Sequence, residues 1–163
     1  MNKVDNYIKT LSLQPHVEGG YYKETYRSSV ENTYDGFKGK RSVSTGIYFL
    51  LRSGEFSAFH RIKSDEMWHF YDGDPLSIYV ISASGKLQVI KLGLDLSNGQ
   101  QPQAVVPAGC WFASRVEQPD SFALVGCTVA PGFDFQDFEM ADGGELMREF
   151  SQYKTIITEL TRV

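Results

Sequence analysis

Cysteine, positive charge and long apolar runs are scarce in this chain, and each shortage closes off a class of protein. Its 163 residues include only two cysteines, Cys110 and Cys127, too few for the disulfide framework of a small secreted scaffold. Each stands among small or apolar neighbours and is expected as a buried, reduced thiol. Positive charge is also in deficit: 16 Lys and Arg face 20 Asp and Glu, for a net charge of -4. The longest basic stretch, Lys38 to Arg41, is short. Nucleic acid is therefore not expected as a partner, because phosphate binding relies on clustered Lys and Arg. No stretch reaches the roughly 20 apolar residues of a membrane-spanning helix. The N-terminal MNKVDNYIKTL has neither the apolar core nor the small-residue cleavage site of a signal peptide. A cytoplasmic protein without membrane contact is the expectation.

What is present is a sheet pattern between two helices. Val4, Tyr7, Ile8 and Leu11 recur at helical spacing, with Asn2 placed to cap and Pro15 to stop a short first helix. From Gly20 to Val129, runs rich in Tyr, Phe, Val, Ile and Thr alternate with turn signals such as YDGFKG, SASGK and EQPD. Nine strands are expected: YYKETYRS, STGIYFLL, FSAFHRI, EMWHFYD, LSIYVIS, KLQVIKL, QAVVP, CWFASRV and SFALVGCTVA. That number of short strands suits a sandwich or barrel. Near the C-terminus, Asp142 with Glu145 forms a capping-box pattern, and Leu146, Phe150, Tyr153, Ile157 and Leu160 share one helical face. One helix over about 145–161, covering an end or face of the barrel, is predicted. The length suits a single domain, residues 1–163, with the barrel over about 20–130.

The segment GEFSAFHRIKSDEMWHFYDG, Gly54 to Gly73, holds the chemistry. Alternate side chains on a strand face opposite ways. If His60 points inward, Ala58 and Ile62 do too; if Glu66 points inward on the returning strand, so do Trp68 and Phe70. His60 and Glu66 would then face one another inside, while Met67, His69 and Tyr71 form an outer apolar strip suited to a homodimer.

The spacing of Gly54, His60, Glu66 and Gly73 resembles the first motif of the cupin superfamily, and Pro107 and Gly109 of PAGCWF resemble its second. The blocks HVEGGYYKETYRS and HRIKSDEMWHFYDGDPL are similar to a cupin subfamily of unassigned function, sometimes described as predicted sugar epimerases. This resemblance implies a mainly β, cupin-type double-stranded β-helix, a jelly-roll barrel with short N-terminal and C-terminal helices. It also implies a metal held by three histidines and a glutamate. Here Ile62 and Phe112 stand at two of those four positions and carry no lone pair, leaving His60 and Glu66 as weak metal candidates, so no metal or other cofactor is expected. In the nucleotide-sugar epimerases of the superfamily an inward histidine matches His60, and a tyrosine from a later strand supplies the acid. TVAPGFDFQDFEM contains no tyrosine, so Tyr48 or Tyr22 would have to serve.

Three functions stay open at this point. The first is a metal-free pocket for a small polar or sugar-like ligand, with isomerase or epimerase chemistry using His60 as base, Glu66 as its partner, and Tyr48, Trp68, Phe70 and Phe112 as walls. Glu18 would anchor a hydroxyl, and Thr25 with Arg27 an anionic group. The strand YYKETYRS has a second reading, an edge strand charged against aggregation or exchanged with a partner subunit. The other functions are a metal-dependent, dioxygenase-like cupin with a rearranged ligand set, in which His16 reaches in, and a structural or storage-like barrel.

Overall fold

The computed structural model describes residues 2–162. Helix α1 (Lys3–Thr10) begins as expected, with the Asn2 side chain accepting from the Asp5 amide at 2.8 Å. Thirteen strands follow among the described residues: β1 (Gln14–Pro15), β2 (Tyr21–Arg27), β3 (Glu31–Thr33), β4 (Lys40–Ser42), β5 (Thr45–Arg52), β6 (Phe56–Arg61), β7 (Asp65–Gly73), β8 (Leu76–Ile81), β9 (Leu87–Leu92), β10 (Gln103–Val106), β11 (Trp111–Val116), β12 (Phe122–Ala130) and β13 (Glu139–Met140). Helices α2 (Gly143–Glu149) and α3 (Lys154–Glu159) close the chain. All nine expected strands form. The four additional ones are two or three residues long and too short or too polar to carry a periodic signal; β3 and β4 flank the YDGFKG turn as a separate hairpin.

Two antiparallel sheets face each other, in the orders β1-β2-β5-β12-β7-β10 and β13-β6-β11-β8-β9. The main core fills the space between them, with Phe49, Trp68, Ile78, Phe112 and Val125 almost wholly buried. Both sheets also bury part of their outer face. Leu50 and Leu124 on the six-stranded sheet pack under α1, against Tyr7 and Ile8. Phe59, Tyr79 and Trp111 on the five-stranded sheet pack under α2 and α3 through Leu146, Phe150, Ile157 and Leu160. Strand β6 is thus covered on both sides, which fixes its register strongly, since a slip of one residue would swap His60 with Phe59.

The single C-terminal helix expected from the sequence is instead two helices joined by a 3-10 turn over Ser151–Tyr153. The Asp142 cap is present, its carboxylate accepting from the Glu145 amide at 2.9 Å. The break falls at Phe150, whose backbone leaves the helical region. It turns Tyr153 toward the β8–β9 hairpin, where the phenol donates to the Gly85 carbonyl and accepts from the Leu87 amide. Apolar spacing alone did not reveal the break, because the buried side chains keep a common face on either side of it.

A buried ion pair ties the β3–β4 hairpin to the segment after β12. Arg41 donates to Asp137 through Nε at 2.7 Å and NH2 at 2.9 Å, and through NH1 to the carbonyls of Lys38 and Lys40. Removing one partner leaves the other charge buried and unpaired. Asp137→Ala is expected to lower the unfolding free energy by about 3 kcal/mol in urea denaturation, the low end for a buried pair because this one lies just beneath the surface. Replacing both partners with apolar residues should restore most of that loss, and a loss in the double variant equal to the sum of the two single losses would show that the pair is not coupled.

Candidate functional site

A cavity of about 330 Å³ opens between the sheets at the end bounded by the His16–Gly20 loop and the segment from Phe133 to Phe138. His60 projects into it from β6 and Glu66 from β7, as strand alternation predicts. Glu18 arrives from the loop before β2. That loop crosses β6 closely: a Cβ on Gly19 would sit 2.1 Å from the Phe56 carbonyl oxygen, and its φ of 111° belongs to glycine. The Ala58 amide and the Arg162 guanidinium both donate to the Glu18 carbonyl, at 2.8 and 3.1 Å.

His60 therefore finds a different partner from the one expected. Its Nε2 lies 3.0 Å from the Glu18 carboxylate, and its Nδ1 lies 2.6 Å from the Ala58 carbonyl oxygen. A carbonyl only accepts, so Nδ1 carries a proton, and Nε2 faces a carboxylate that also accepts. Burial alone would strip the proton from this imidazole, but the Glu18 charge and hydrogen bond, with the Ala58 carbonyl and Glu66, together outweigh it and hold His60 above its ordinary pKa. Burial likewise opposes the Glu18 charge, and His60 overcomes it, keeping Glu18 below the usual carboxylate value. The two directions agree on an imidazolium–carboxylate pair. Phe112 lies 4.1 Å from the imidazole centroid, and Phe138 stacks on it at 5.3 Å.

Glu66 is left in a different state. Burial, then the nearby Glu18 charge, push its pKa up to about 7. Cys127, also at the cavity wall, has its thiol pushed well up by burial and by Glu66. His16 reaches the cavity as well; its Nδ1 accepts from the Glu18 amide at 3.1 Å, and burial lowers its pKa, leaving a neutral ring.

The expected wall is only partly the observed one. Glu18, Arg27, His60 and Glu66 border the cavity. Trp68, Phe70 and Phe112 face the interior but belong to the packed core behind or beyond it. Tyr48 points to the opposite side of its sheet, packing with Leu50 and Leu124 and edge-on to Tyr71. Thr25 is exposed outside the cavity, its hydroxyl bonded to the Gly46 carbonyl. A bulge between Glu24 and Tyr26 shifts the register of β2 against β5, so Glu24, not Thr25, shares the cavity side with Arg27. The residues that sequence reasoning passed over include four from the loop after β12, Phe133, Asp134, Phe135 and Phe138. Their only signal was a density of aromatics in PGFDFQDF, which has no strand or helix period.

The metal set implied by the cupin motif does not fit. Ile62 and Phe112 offer no donor, and among the described residues no three His, Cys, Asp or Glu side chains come together to hold an ion. What the arrangement offers is a fixed ion pair, a carboxyl group balanced near neutrality and aromatic walls.

A family model described as Cupin superfamily (DUF985) matches residues 5–141. An uncharacterized protein of Saccharomyces cerevisiae is 31% identical over 160 residues, which span 90% of this chain and 79% of that protein. Among solved structures, a protein from Shewanella oneidensis is 47% identical with a TM-score of 0.90, covering 99% of each chain. A hypothetical protein from Leishmania major is 33% identical with a TM-score of 0.93, covering 99% of this chain and 100% of its own.

The shifted groups leave a signature in stability. Glu66 binds its proton more tightly folded than unfolded, so its contribution is complete below pH 4.5 and is lost as pH rises through about 7. His60 acts in the same sense at higher pH, its contribution full below 6.5 and lost above, through its raised folded pKa. Glu18 and His16 act oppositely, contributing above 4.5 and 6.5 respectively and losing that contribution as pH falls through their lowered values. Subtracting Glu66→Gln isolates the first of these. The stability of the wild type relative to Glu66→Gln, measured by urea unfolding, should fall by up to about 3 kcal/mol between pH 4.5 and 8. A difference independent of pH would mean that Glu66 titrates normally.

Proposed function

Because the chain belongs to the Cupin superfamily (DUF985), we propose that its barrel cavity binds a small sugar-like organic molecule and moves a proton on it without a metal ion. Glu66 carries that proton. The observation behind this reading is a buried carboxyl group, at the wall of an aromatic-lined cavity, whose pKa is pushed up to about 7. A general acid–base group works best with its pKa near the ambient pH, where both protonation states are available.

The chemistry that suits it is isomerisation or epimerisation of a hydroxy-carbonyl compound. Glu66 as carboxylate takes the proton from the carbon beside the carbonyl; the C–H bond breaks and its electron pair moves to the carbonyl oxygen. His60 is less suited to be the base, since both ring nitrogens are engaged by Ala58 and Glu18. It acts as a fixed positive charge that favours the developing oxyanion. For isomerisation Glu66 then returns the proton to the former carbonyl carbon while the hydroxyl hydrogen passes from its oxygen to the oxyanion, so that the new carbonyl forms where the hydroxyl stood. Epimerisation needs an acid on the other face, and Tyr22, which lines the cavity from β2, is the available phenol. We place the protein in the cytoplasm, the setting in which two free, buried cysteines stay reduced.

A homodimer through the six-stranded sheet belongs to the same proposal. Met67 and Val105 pair across β7 and β10, each more than a third exposed, and Tyr71 is exposed on the same strand as Met67. Light scattering should give twice the mass of one chain, and Met67→Glu should halve it; a wild-type monomer would remove this part of the reading.

Turnover is tested by solvent hydrogen exchange into a panel of hydroxy-carbonyl sugars, followed by NMR. Glu66→Gln is expected to slow exchange by about 10²–10⁴-fold while still binding the ligand in a thermal-shift assay. Binding without exchange in the wild type would favour a ligand-binding protein with no turnover. Neither binding nor exchange would favour the structural or storage-like barrel.

A further inference from the structure

We infer that the cavity selects an uncharged, hydroxyl-rich molecule and discriminates against its phosphorylated or nucleotide-linked forms. This rests on the proposed function above and names the substrate class of the same site. The positive charges at the site are already paired with carboxylates. Two cationic side chains border the cavity among the described residues, His60 and Arg27. His60 is held by Glu18 and the Ala58 carbonyl. Arg27 donates from Nε to Glu24 at 2.6 Å, and from NH2 to the second Glu24 oxygen at 3.3 Å and to the Phe133 carbonyl at 3.0 Å. Arg27 keeps only its Nη1 donors unengaged, on a charge already neutralised by Glu24, so a phosphate or carboxylate gains little net attraction there unless it displaces Glu24, and at His60 it would have to displace Glu18.

Neither of the cations nearby in the fold lines the cavity: Arg41 is bound by Asp137 and two carbonyls, and Lys63 lies outside the lining and donates to the Gly36 carbonyl. Against the two cations stand four carboxyl groups at the cavity: Glu18, Glu24, Glu66 and Asp134. An anion would approach a surplus of negative charge in a poorly solvated space, where like charges repel strongly. Carboxylates accept hydrogen bonds, so the ligand that satisfies them must donate, as hydroxyl groups do.

The apolar side of the site fits the same class. Phe133 and Phe135 meet edge to face at 4.9 Å, and Phe138 packs against Phe135 at 5.8 Å. Phe135 remains 56% exposed although it borders the cavity. An aromatic face left wet at the mouth suits the C–H face of a sugar ring, with the hydroxyl edge directed inward to the carboxyl groups.

The test is titration calorimetry of the full-length protein at pH 7 and low salt. The probes are D-glucose and D-fructose, their 6-phosphates, uridine diphosphate glucose and D-glucosamine. At least one free sugar should bind ten-fold or more tightly than its phosphate and more tightly than the nucleotide form. Glu24→Gln, a change on a half-exposed side chain, releases Arg27 and should narrow the gap between free sugar and phosphate several-fold. Tighter binding of a phosphate or nucleotide sugar by the wild type overturns the inference while leaving the proposed function standing. Tighter binding of glucosamine than glucose overturns the assignment of an uncharged ligand. An unchanged gap in Glu24→Gln overturns the role given to the Arg27–Glu24 pair. Absence of binding by every probe overturns the inference together with the sugar-binding function on which it rests.

Discussion

The contact between the His60 imidazole and the Glu18 carboxylate, 3.0 Å apart and almost wholly buried, acts on the three other shifted groups of the cavity, Glu66, His16 and Cys127. Glu18 makes the imidazolium tolerable, and its own charge then helps keep the proton on Glu66. One loop carboxylate thereby sets two side chains from different strands to opposite tasks, one favoured in its charged form and one balanced near neutrality. The contact also depends on distant parts of the chain. Arg162, at the far end of the sequence, donates to the carbonyls of both Glu18 and Phe56 and stacks over the Phe56 ring. The C-terminal segment therefore helps hold the loop over β6.

The apolar replacements in the metal-binding pattern acquire a physical role in this setting. Phe112 and Phe138 lie against the His60 ring, and an aromatic face attracts a cation. Ile62 borders the cavity and lowers the polarity around Glu66. A carboxyl group can be held near pKa 7 only where water and counter-charge are limited. Residues that cannot donate a lone pair to a metal thus supply the surroundings that shift Glu66. The two departures from the cupin motif act together, since a histidine at position 62 or 112 would bring a further polar group to one small space.

Most of the fold was legible because its signals are local. Alternation in EMWHFYD placed Glu66 and Trp68 inside and Met67 outside, and Asn2 and Asp142 marked helix starts through bonds spanning three residues. The site was less legible because its decisive contacts are not local. His60 faces two carboxylates in the fold, and spacing within one hairpin pointed to Glu66, six residues away, rather than to Glu18 across a loop. Tyr48 was misplaced because its strand is apolar on both faces; β5 packs the main core on one side and α1 on the other, so alternation left its facing ambiguous. Thr25 was misplaced because a bulge adds one residue to β2 and reverses the parity that precedes it. The Phe133–Phe138 wall has no period to detect, and its position is set by partners far away in sequence.

Those distant partners explain how an irregular segment can form a defined wall. The Phe133 amide donates to Thr45 Oγ1 at 2.9 Å, its carbonyl accepts from Arg27, and Asp137 is clamped by Arg41. Asp134 caps the short turn between them by accepting from the Gln136 amide. The aromatic side chains are therefore placed before any ligand arrives, so binding need not order the loop as well. The same clamps limit what the site can recognise. A guanidinium that anchors a wall through Nε and Nη2 and is neutralised by Glu24 has only Nη1 to offer a phosphate, so the placing of the cavity wall and its weak attraction for anions have a common origin in Arg27.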